Sequence, residues 1–127
     1  MNAALQRNRY VTDTVETLPP ARLVTMLYDA LVLDLTMAEQ AIASGDTTVV
    51  HARLTRAQDI VLELRSSLDT SVWDGGPGLA DLYAFLLTEM ISANVRKDAV
   101  KVASCRTLVE PLRDAWHRAA AAVAAMA

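Results

Sequence analysis

The chain has 127 residues, a length typical of one domain, and it carries a net charge of −3 at neutral pH. Hydrophobic residues make up 53% of it, aromatics only 5%, and there are four glycines and four prolines, a composition typical of an all-α fold. The absence of a basic cluster argues against nucleic acid, and no run approaches the ~20 apolar residues that span a membrane.

Residues 1–18 show no sustained periodicity and mix Asn, Gln, Arg and Thr, so they are predicted to form a flexible N-terminal arm. The arm contains no apolar core typical of a signal peptide, which favours a cytoplasmic protein. Tyr10 is its lone aromatic residue and either docks on the folded domain or belongs to a frayed terminus. Residues 19–127 are predicted to form the folded domain.

The first predicted helix runs from Pro20 to Ala43, because proline is tolerated in a first helical turn. Two adjacent apolar stripes cover more than half of its circumference, and even the narrow polar strip contains Val32. Either this helix is the most buried one, or part of its apolar surface serves a partner. Asp34 falls within the apolar arc and is expected at a rim or in a hydrogen bond, since a buried carboxylate needs a donor.

The second predicted helix runs from residue 47 to residue 70, after a Ser-Gly-Asp sequence suited to ending one helix and capping the next. Its apolar residues alternate in steps of four and three along one seam, which is typical of a helical bundle. The seam consists of Val50, Leu54, Ala57, Val61, Leu64 and Leu68. Ile60 and Leu62 point away from the seam, among polar residues, and are therefore expected at the edge of a binding groove.

A Gly- and Pro-rich stretch over residues 75–78 separates the second helix from a third, which is predicted over residues 79–94. Leu79, Leu82, Leu86, Met90 and Ala93 form its seam, and Ala80, Ala84, Leu87 and Ile91 form a second stripe. Phe85 falls within the polar strip. It is either covered by the N-terminal arm or exposed as an aromatic anchor for a partner.

The fourth predicted helix follows Asp98, a suitable N-cap, and carries an apolar seam from Val102 to Met126. Pro111 interrupts the pattern, and a kink is expected there because proline removes one backbone hydrogen bond. Four helices joined by short links predict an antiparallel up-down-up-down four-helix bundle.

The sequence offers little chemistry for catalysis. A di-iron bundle needs paired Glu-x-x-His motifs, whereas the nearest match is one Asp114-x-x-His117, which we interpret as a surface pair. Cys105 lies on a helix seam and is interpreted as a small buried hydrophobe, and a single cysteine cannot form an internal disulfide. We therefore predict that the protein is not an enzyme and has no cofactor or metal site.

Several short stretches resemble the flagellar secretion chaperones of the FliS type, which bind flagellin. The resemblance extends over nearly the whole chain and rests most on Met26-Leu27-Tyr28-Asp29 and Arg56-Ala57-Gln58-Asp59-Ile60-Val61. Further matches are Tyr10, Glu63-Leu64, Ser67-Leu68-Asp69, Leu82-Tyr83, Ala93-Asn94, Asp98, Leu112-Arg113 and Trp116. The sequence departs from the family at Ala30, where glycine is usual, at Asp34, where a larger apolar residue is common, and at Pro111.

The resemblance implies a bundle that wraps the disordered C-terminal segment of flagellin in the cytoplasm, prevents its premature polymerisation and helps present it to the export gate. An amphipathic partner would lay its apolar residues in grooves between helices. The predicted partner-binding residues are Tyr10, Val32, Gln58, Ile60, Leu62, Phe85, Leu87, Ile91 and Asn94. The alternative is a self-associating structural bundle whose extra apolar stripes form a homodimer interface.

Overall fold

The structure, a computed structural model, describes residues 20–68 and 75–126 of the chain, with side chains from residue 22. These residues form helices and turns only, which confirms the all-α prediction. The helices are α1 (Pro20–Ser44), α2 (Thr47–Ser67), α3 (Gly76–Arg96) and α4 (Ala99–Met126). α2 ends three residues earlier than predicted, and α3 begins three residues earlier and ends two later. The predicted N-terminal arm, residues 1–18, lies outside the described residues.

Each helix packs against two neighbours, in the cyclic order α1, α2, α3, α4 and back to α1. Side-chain pairs set the register of adjacent helices. Arg106 of α4 binds Glu39 of α1, whereas His117, further along α4, contacts Asp29, which lies earlier in α1. The two helices therefore run antiparallel. Together with the short links between consecutive helices, this order gives the predicted up-down-up-down bundle.

The turns carry the end and cap residues that the sequence predicts. Gly45 has a φ of +75°, the left-handed conformation in which glycine commonly ends a helix. The Asp46 side chain accepts a hydrogen bond from the Val49 backbone N–H at 3.2 Å. Between α3 and α4, Asp98 Oδ1 accepts from the backbone N–H groups of Val100 and Lys101. These contacts fix both turns through groups that need no tertiary partner.

The core confirms the seams of α2 and α3, apart from Leu68 and Leu82, which are half-buried. α1 is largely buried, although two of its large apolar side chains, Met26 and Leu33, are exposed. Most of its apolar arc is therefore core, and a smaller part of it faces outwards. In α4 the prediction fails past the middle of the helix: Leu112 and Trp116 are half-buried, and the rest of the seam to Met126 is exposed.

A buried charge links α1 to α2. Asp34 has no exposed surface, and its Oδ1 accepts a hydrogen bond from Arg53 Nη1 at 3.0 Å. Its other oxygen lies 3.4 Å from Arg56 Nε. Burial raises the pKa of the Asp34 carboxyl, and the two arginines act in the opposite direction. The expectation that this carboxylate would be hydrogen-bonded is confirmed, in the interior rather than at a rim.

Leu64 tests whether the α2 seam is the core. It is buried and lies one turn before α2 ends at Ser67. We expect Leu64→Ala to lower the free energy of unfolding by about 2–3 kcal/mol, near the bottom of the range for buried leucines, because a helix end can partly relax into the cavity. Urea unfolding measures the loss. A loss below about 1 kcal/mol, typical of surface positions, would contradict the core assignment.

Candidate functional site

A stripe of three polar side chains and one large apolar side chain runs along α2 on the side that faces α3. His51, Thr55, Gln58 and Leu62 follow one another at steps of four, three and four, which places them on one line along the helix. Gln58 is half-buried, and the Leu62 side chain is 48% exposed. Water therefore reaches a large apolar side chain at the far end of the stripe from His51.

The matching stripe on α3 runs in the opposite direction. Asn94, Ile91, Leu87 and Ala84 are spaced by three, four and three residues, and Ile91 is 52% exposed. The two stripes face each other because Asn94 Nδ2 donates a hydrogen bond to His51 Nδ1 at 2.9 Å. We call this surface the α2–α3 groove, lined by Thr55, Gln58, Leu62, Ala84, Leu87 and Ile91, with His51 and Asn94 at one end.

The α2–α3 groove has a polar end and an apolar body. At the polar end, Asn94 Oδ1 accepts a hydrogen bond from Lys97 Nζ at 2.7 Å, while the amide nitrogen binds His51. Both polar atoms of the Asn94 amide are thus occupied, which fixes its orientation. Beyond it the surface is apolar, interrupted by Thr55 and Gln58. An amphipathic helix laid between α2 and α3 could bury its apolar residues here and leave its polar residues at the rim.

A second apolar depression lies between α3 and α4. It has a volume of about 480 Å³ and is lined by Gly75, Gly78, Leu79, Leu82, Leu112, Ala115, Trp116 and Ala119. Phe85, 50% exposed, and Leu108, 42% exposed, lie on the facing sides of the same two helices, towards the Glu89–Lys101 ion pair. We call this surface the α3–α4 groove. It holds the aromatic side chain that the sequence places off the α3 seam.

Two predicted binding residues are in the core, and the exposure expected for them is wrong. Ile60 is only 8% exposed because it lies on the side of α2 that carries Arg53 and faces α1. Val32 is only 7% exposed; it shares a side of α1 with Glu39, seven residues further on, which binds Arg106 of α4. Each is covered by a neighbouring helix.

Five of the nine predicted residues, Gln58, Leu62, Leu87, Ile91 and Asn94, come together in the α2–α3 groove. Phe85 lies apart from them, on the other side of α3, and is exposed in the structure. Tyr10 lies outside the described residues. Sequence reasoning missed Leu108, although it lies off the α4 seam just as Leu62 lies off the α2 seam.

Two side chains that could take part in chemistry, His117 and Cys105, lie outside both grooves. His117 Nε2 lies 2.7 Å from Asp29 Oδ1 of α1, so the histidine of the Asp-x-x-His sequence joins two helices. Cys105 is buried, and this burial raises the pKa of its thiol to about 11, which disfavours the reactive thiolate. Within residues 20–68 and 75–126, no three His, Cys, Asp or Glu side chains cluster to hold a metal ion.

Two aromatic hydroxyls meet inside the bundle below these surfaces. The hydroxyls of Tyr28 in α1 and Tyr83 in α3 are 2.7 Å apart and join helices that lie diagonally across the bundle. The Tyr28 ring also lies 6.2 Å from the Trp116 ring, measured between centroids. Burial raises the pKa of both tyrosines. This contact network joins α3, the helix between the two grooves, to α1, and places the Trp116 ring of α4 beside the same tyrosine of α1.

Comparison with known proteins agrees with this architecture. The family described as flagellar protein FliS matches residues 1–123. The flagellar secretion chaperone FliS of Bacillus subtilis is 28% identical over 110 residues, which cover 87% of this chain and 82% of that protein. The flagellar secretion chaperone FliS of Vibrio cholerae is 28% identical over 123 residues, covering 93% and 89% respectively.

The fold is also that of a solved protein, described as a flagellar chaperone from bacteria. Its crystal structure aligns with a TM-score of 0.72 over 92% of this chain and 96% of its own, at 16% identity. None of the four described helices is long and apolar enough to cross a membrane. The match over residues 1–123, the relatives that align along most of their length and the shared bundle lead to one assignment: the chain belongs to the FliS family of flagellar proteins.

Proposed function

We propose that this protein is a cytoplasmic flagellar secretion chaperone that binds the C-terminal segment of flagellin. By binding this segment it would keep flagellin from polymerising before export and help present it to the export gate. The relatives that carry the chaperone name support the general role. The flagellin segment and the export gate are the specific part of the proposal, and the surface of α3 supports the first of them.

The observation that carries the proposal is the pair of grooves that flank α3. Leu62 and Ile91 are about half exposed in the α2–α3 groove, and Phe85 and Leu108 are comparably exposed in the α3–α4 groove. Large apolar side chains grouped in this way on a soluble domain mark an interaction surface. Two parallel grooves suit a long, flexible partner that folds on α3 as it binds, since a disordered segment can wrap a large surface.

The occupant should be an amphipathic helix rather than an extended strand. The sheet edge that an added strand would need is absent from the described residues, whereas the grooves repeat apolar side chains at the three-four spacing of a helix. The polar end at His51, Asn94 and Lys97 would then limit how far the partner's apolar face extends.

Co-expression with the host's flagellin tests the proposal. Full-length flagellin should be retained by the tagged chaperone, and flagellin that lacks its C-terminal segment should not. The alternative, a self-associating bundle, predicts a stable homodimer whose mass does not change when the C-terminal peptide is added. That outcome, or equal retention of both flagellin forms, would contradict the proposal.

A further inference from the structure

The last helix is divided by Pro111. α4 continues through this residue as one helix from Ala99 to Met126, so the proline does not end it. Proline has no backbone N–H, so the Thr107 carbonyl cannot receive the hydrogen bond that position 111 would otherwise donate. The Thr107 hydroxyl is also engaged locally and donates to the Ser104 carbonyl at 2.9 Å. The backbone of α4 therefore lacks one helical hydrogen bond at this turn.

Packing changes at the same place. All three fully buried side chains of α4, Val102, Cys105 and Val109, precede Pro111. From residue 110 to residue 126 every side chain is half-buried or exposed. Only the first part of the helix thus has fully buried side chains in the core. The last of them, Val109, lies two residues before the proline.

The ion pairs follow the same division. Lys101 binds Glu89 of α3, and Arg106 binds Glu39 of α1, both before Pro111. Beyond it, the contacts of α4 with α1 include the tilted ring pair of Trp116 with Tyr28 and the contact of His117 with Asp29. The side chains of His117 and Asp29 are 49% and 51% exposed, and a pair so open to water contributes little stability.

The loosely held part of α4 forms a wall of the α3–α4 groove. Leu112, Ala115, Trp116 and Ala119 supply this wall, and α3 supplies the other through Leu79 and Leu82. A rotation of residues 112–126 would change the width of the groove without moving any fully buried α4 side chain. We infer that Pro111 is a hinge about which residues 112–126 of α4 move as a unit, so that the α3–α4 groove has one fixed wall and one adjustable wall.

Amide hydrogen exchange of the full chain, resolved residue by residue, tests the hinge. Exchange in the free protein should be fastest around the hinge, at residues 112–115, whose N–H groups bond to carbonyls of residues 108–111 across Pro111. Residues 116–118, which bond within the moving unit, should be slower again. Simple fraying of a helix end gives a different profile, a gradual increase towards Met126. A gradual increase, or equal protection on both sides of Pro111, would overturn the inference.

Pro111→Ala is the decisive variant, because it restores the missing backbone donor. Exchange of residues 112–115 should slow by about fivefold to tenfold, the effect of one additional backbone hydrogen bond. Ser104→Ala is the matched control: it places alanine at another exposed position of α4 without adding a backbone donor. Equal slowing in both variants, or none in Pro111→Ala, would contradict the hinge. The measurement uses the free chain, so its outcome does not depend on the proposed flagellin partner.

Discussion

Arg53→Ala is expected to lower the free energy of unfolding by about 3–5 kcal/mol, the cost of removing one partner from a buried ion pair. Asp34 has no exposed surface, and Arg53 provides the hydrogen bond to its Oδ1. Arg56 remains, but at 3.4 Å and with a side chain 51% exposed it compensates the charge only in part. The variant therefore leaves a carboxylate in the core with no hydrogen-bond donor on either oxygen.

Asp34→Leu is the control that separates charge from packing. It removes the buried charge, fills the space with an apolar side chain, and leaves the partly exposed Arg53 and Arg56 able to reach water. Its effect should stay within about 1 kcal/mol in either direction. Combining it with Arg53→Ala should recover most of the loss seen in Arg53→Ala alone. Additive losses in this double-mutant cycle would show that the two side chains are not coupled.

The loss caused by Arg53→Ala should also shrink on acidification. Burial raises the folded-state pKa of Asp34 above its usual 3.8, so the folded state binds the proton more tightly than the unfolded chain. Between the two pKa values, the carboxyl is protonated in the folded state and ionised in the unfolded chain. The stability linked to this carboxyl therefore grows as pH falls towards 3.8 and is lost as pH rises. Without Arg53, which lowers the pKa, the folded-state pKa of Asp34 rises further, so this dependence extends over a wider pH range and its total size increases. Urea unfolding of variant and wild type at several pH values measures the difference, and a constant difference would contradict the assignment.

The Asp34 contacts were accessible from the sequence in part. The turn at Gly45 and Asp46 forces α1 and α2 into an antiparallel hairpin, and counting equally outwards from it places Asp34 opposite Arg56, with Arg53 one turn away on the same side. Because Asp34 lies within an apolar arc, it needs a hydrogen-bond donor, and the register of the hairpin identifies Arg53 and Arg56 as the candidates. The depth of burial could not be predicted, because it depends on α4, which closes the other side of α1.

The burial of Ile60 and Val32 could not be predicted from the residue spacing within a single helix. Helical spacing gives the angle of a side chain from the seam of its own helix, and both residues lie well off that seam. Whether such a residue is exposed depends on the positions of two neighbouring helices. α1 covers the Ile60 side of α2, whereas the Leu62 side faces α3 and stays open. Apolar residues that lie off the seam can therefore be buried, like Ile60, or exposed, like Leu62.

The burial predicted along the whole seam of α4 is wrong for a different reason. Its three-four spacing continues to Met126, but the neighbouring α3 begins only at Gly76. By the register that the Glu89–Lys101 pair sets, Gly76 lies close to Asp114, so the last turns of α4 extend past the end of α3. An apolar seam predicts burial only over the length for which a partner helix is present.

Leu62→Asp is expected to weaken binding of the flagellin C-terminal peptide by about 30-fold or more, the loss of a hot-spot side chain, without unfolding the protein. Leu62 is 48% exposed in the free bundle, so a carboxylate there remains in water until a partner covers it. The complex would then either bury that charge without a partner or leave the groove unfilled. The melting temperature should change little, since surface substitutions rarely exceed about 0.5 kcal/mol.

Ile60→Asp, two residues away on the same helix, is the matched comparison and should behave in the opposite way. Ile60 is buried against α1, so the aspartate would place an unpaired charge in the core and cause the thermal transition to collapse. Thermal melts and peptide titrations of both variants distinguish the two positions. A Leu62→Asp variant that binds normally would exclude the α2–α3 groove as the binding surface. An Ile60→Asp variant that melts normally and binds weakly would show that Ile60 reaches the surface in solution, as its position off the α2 seam first suggested.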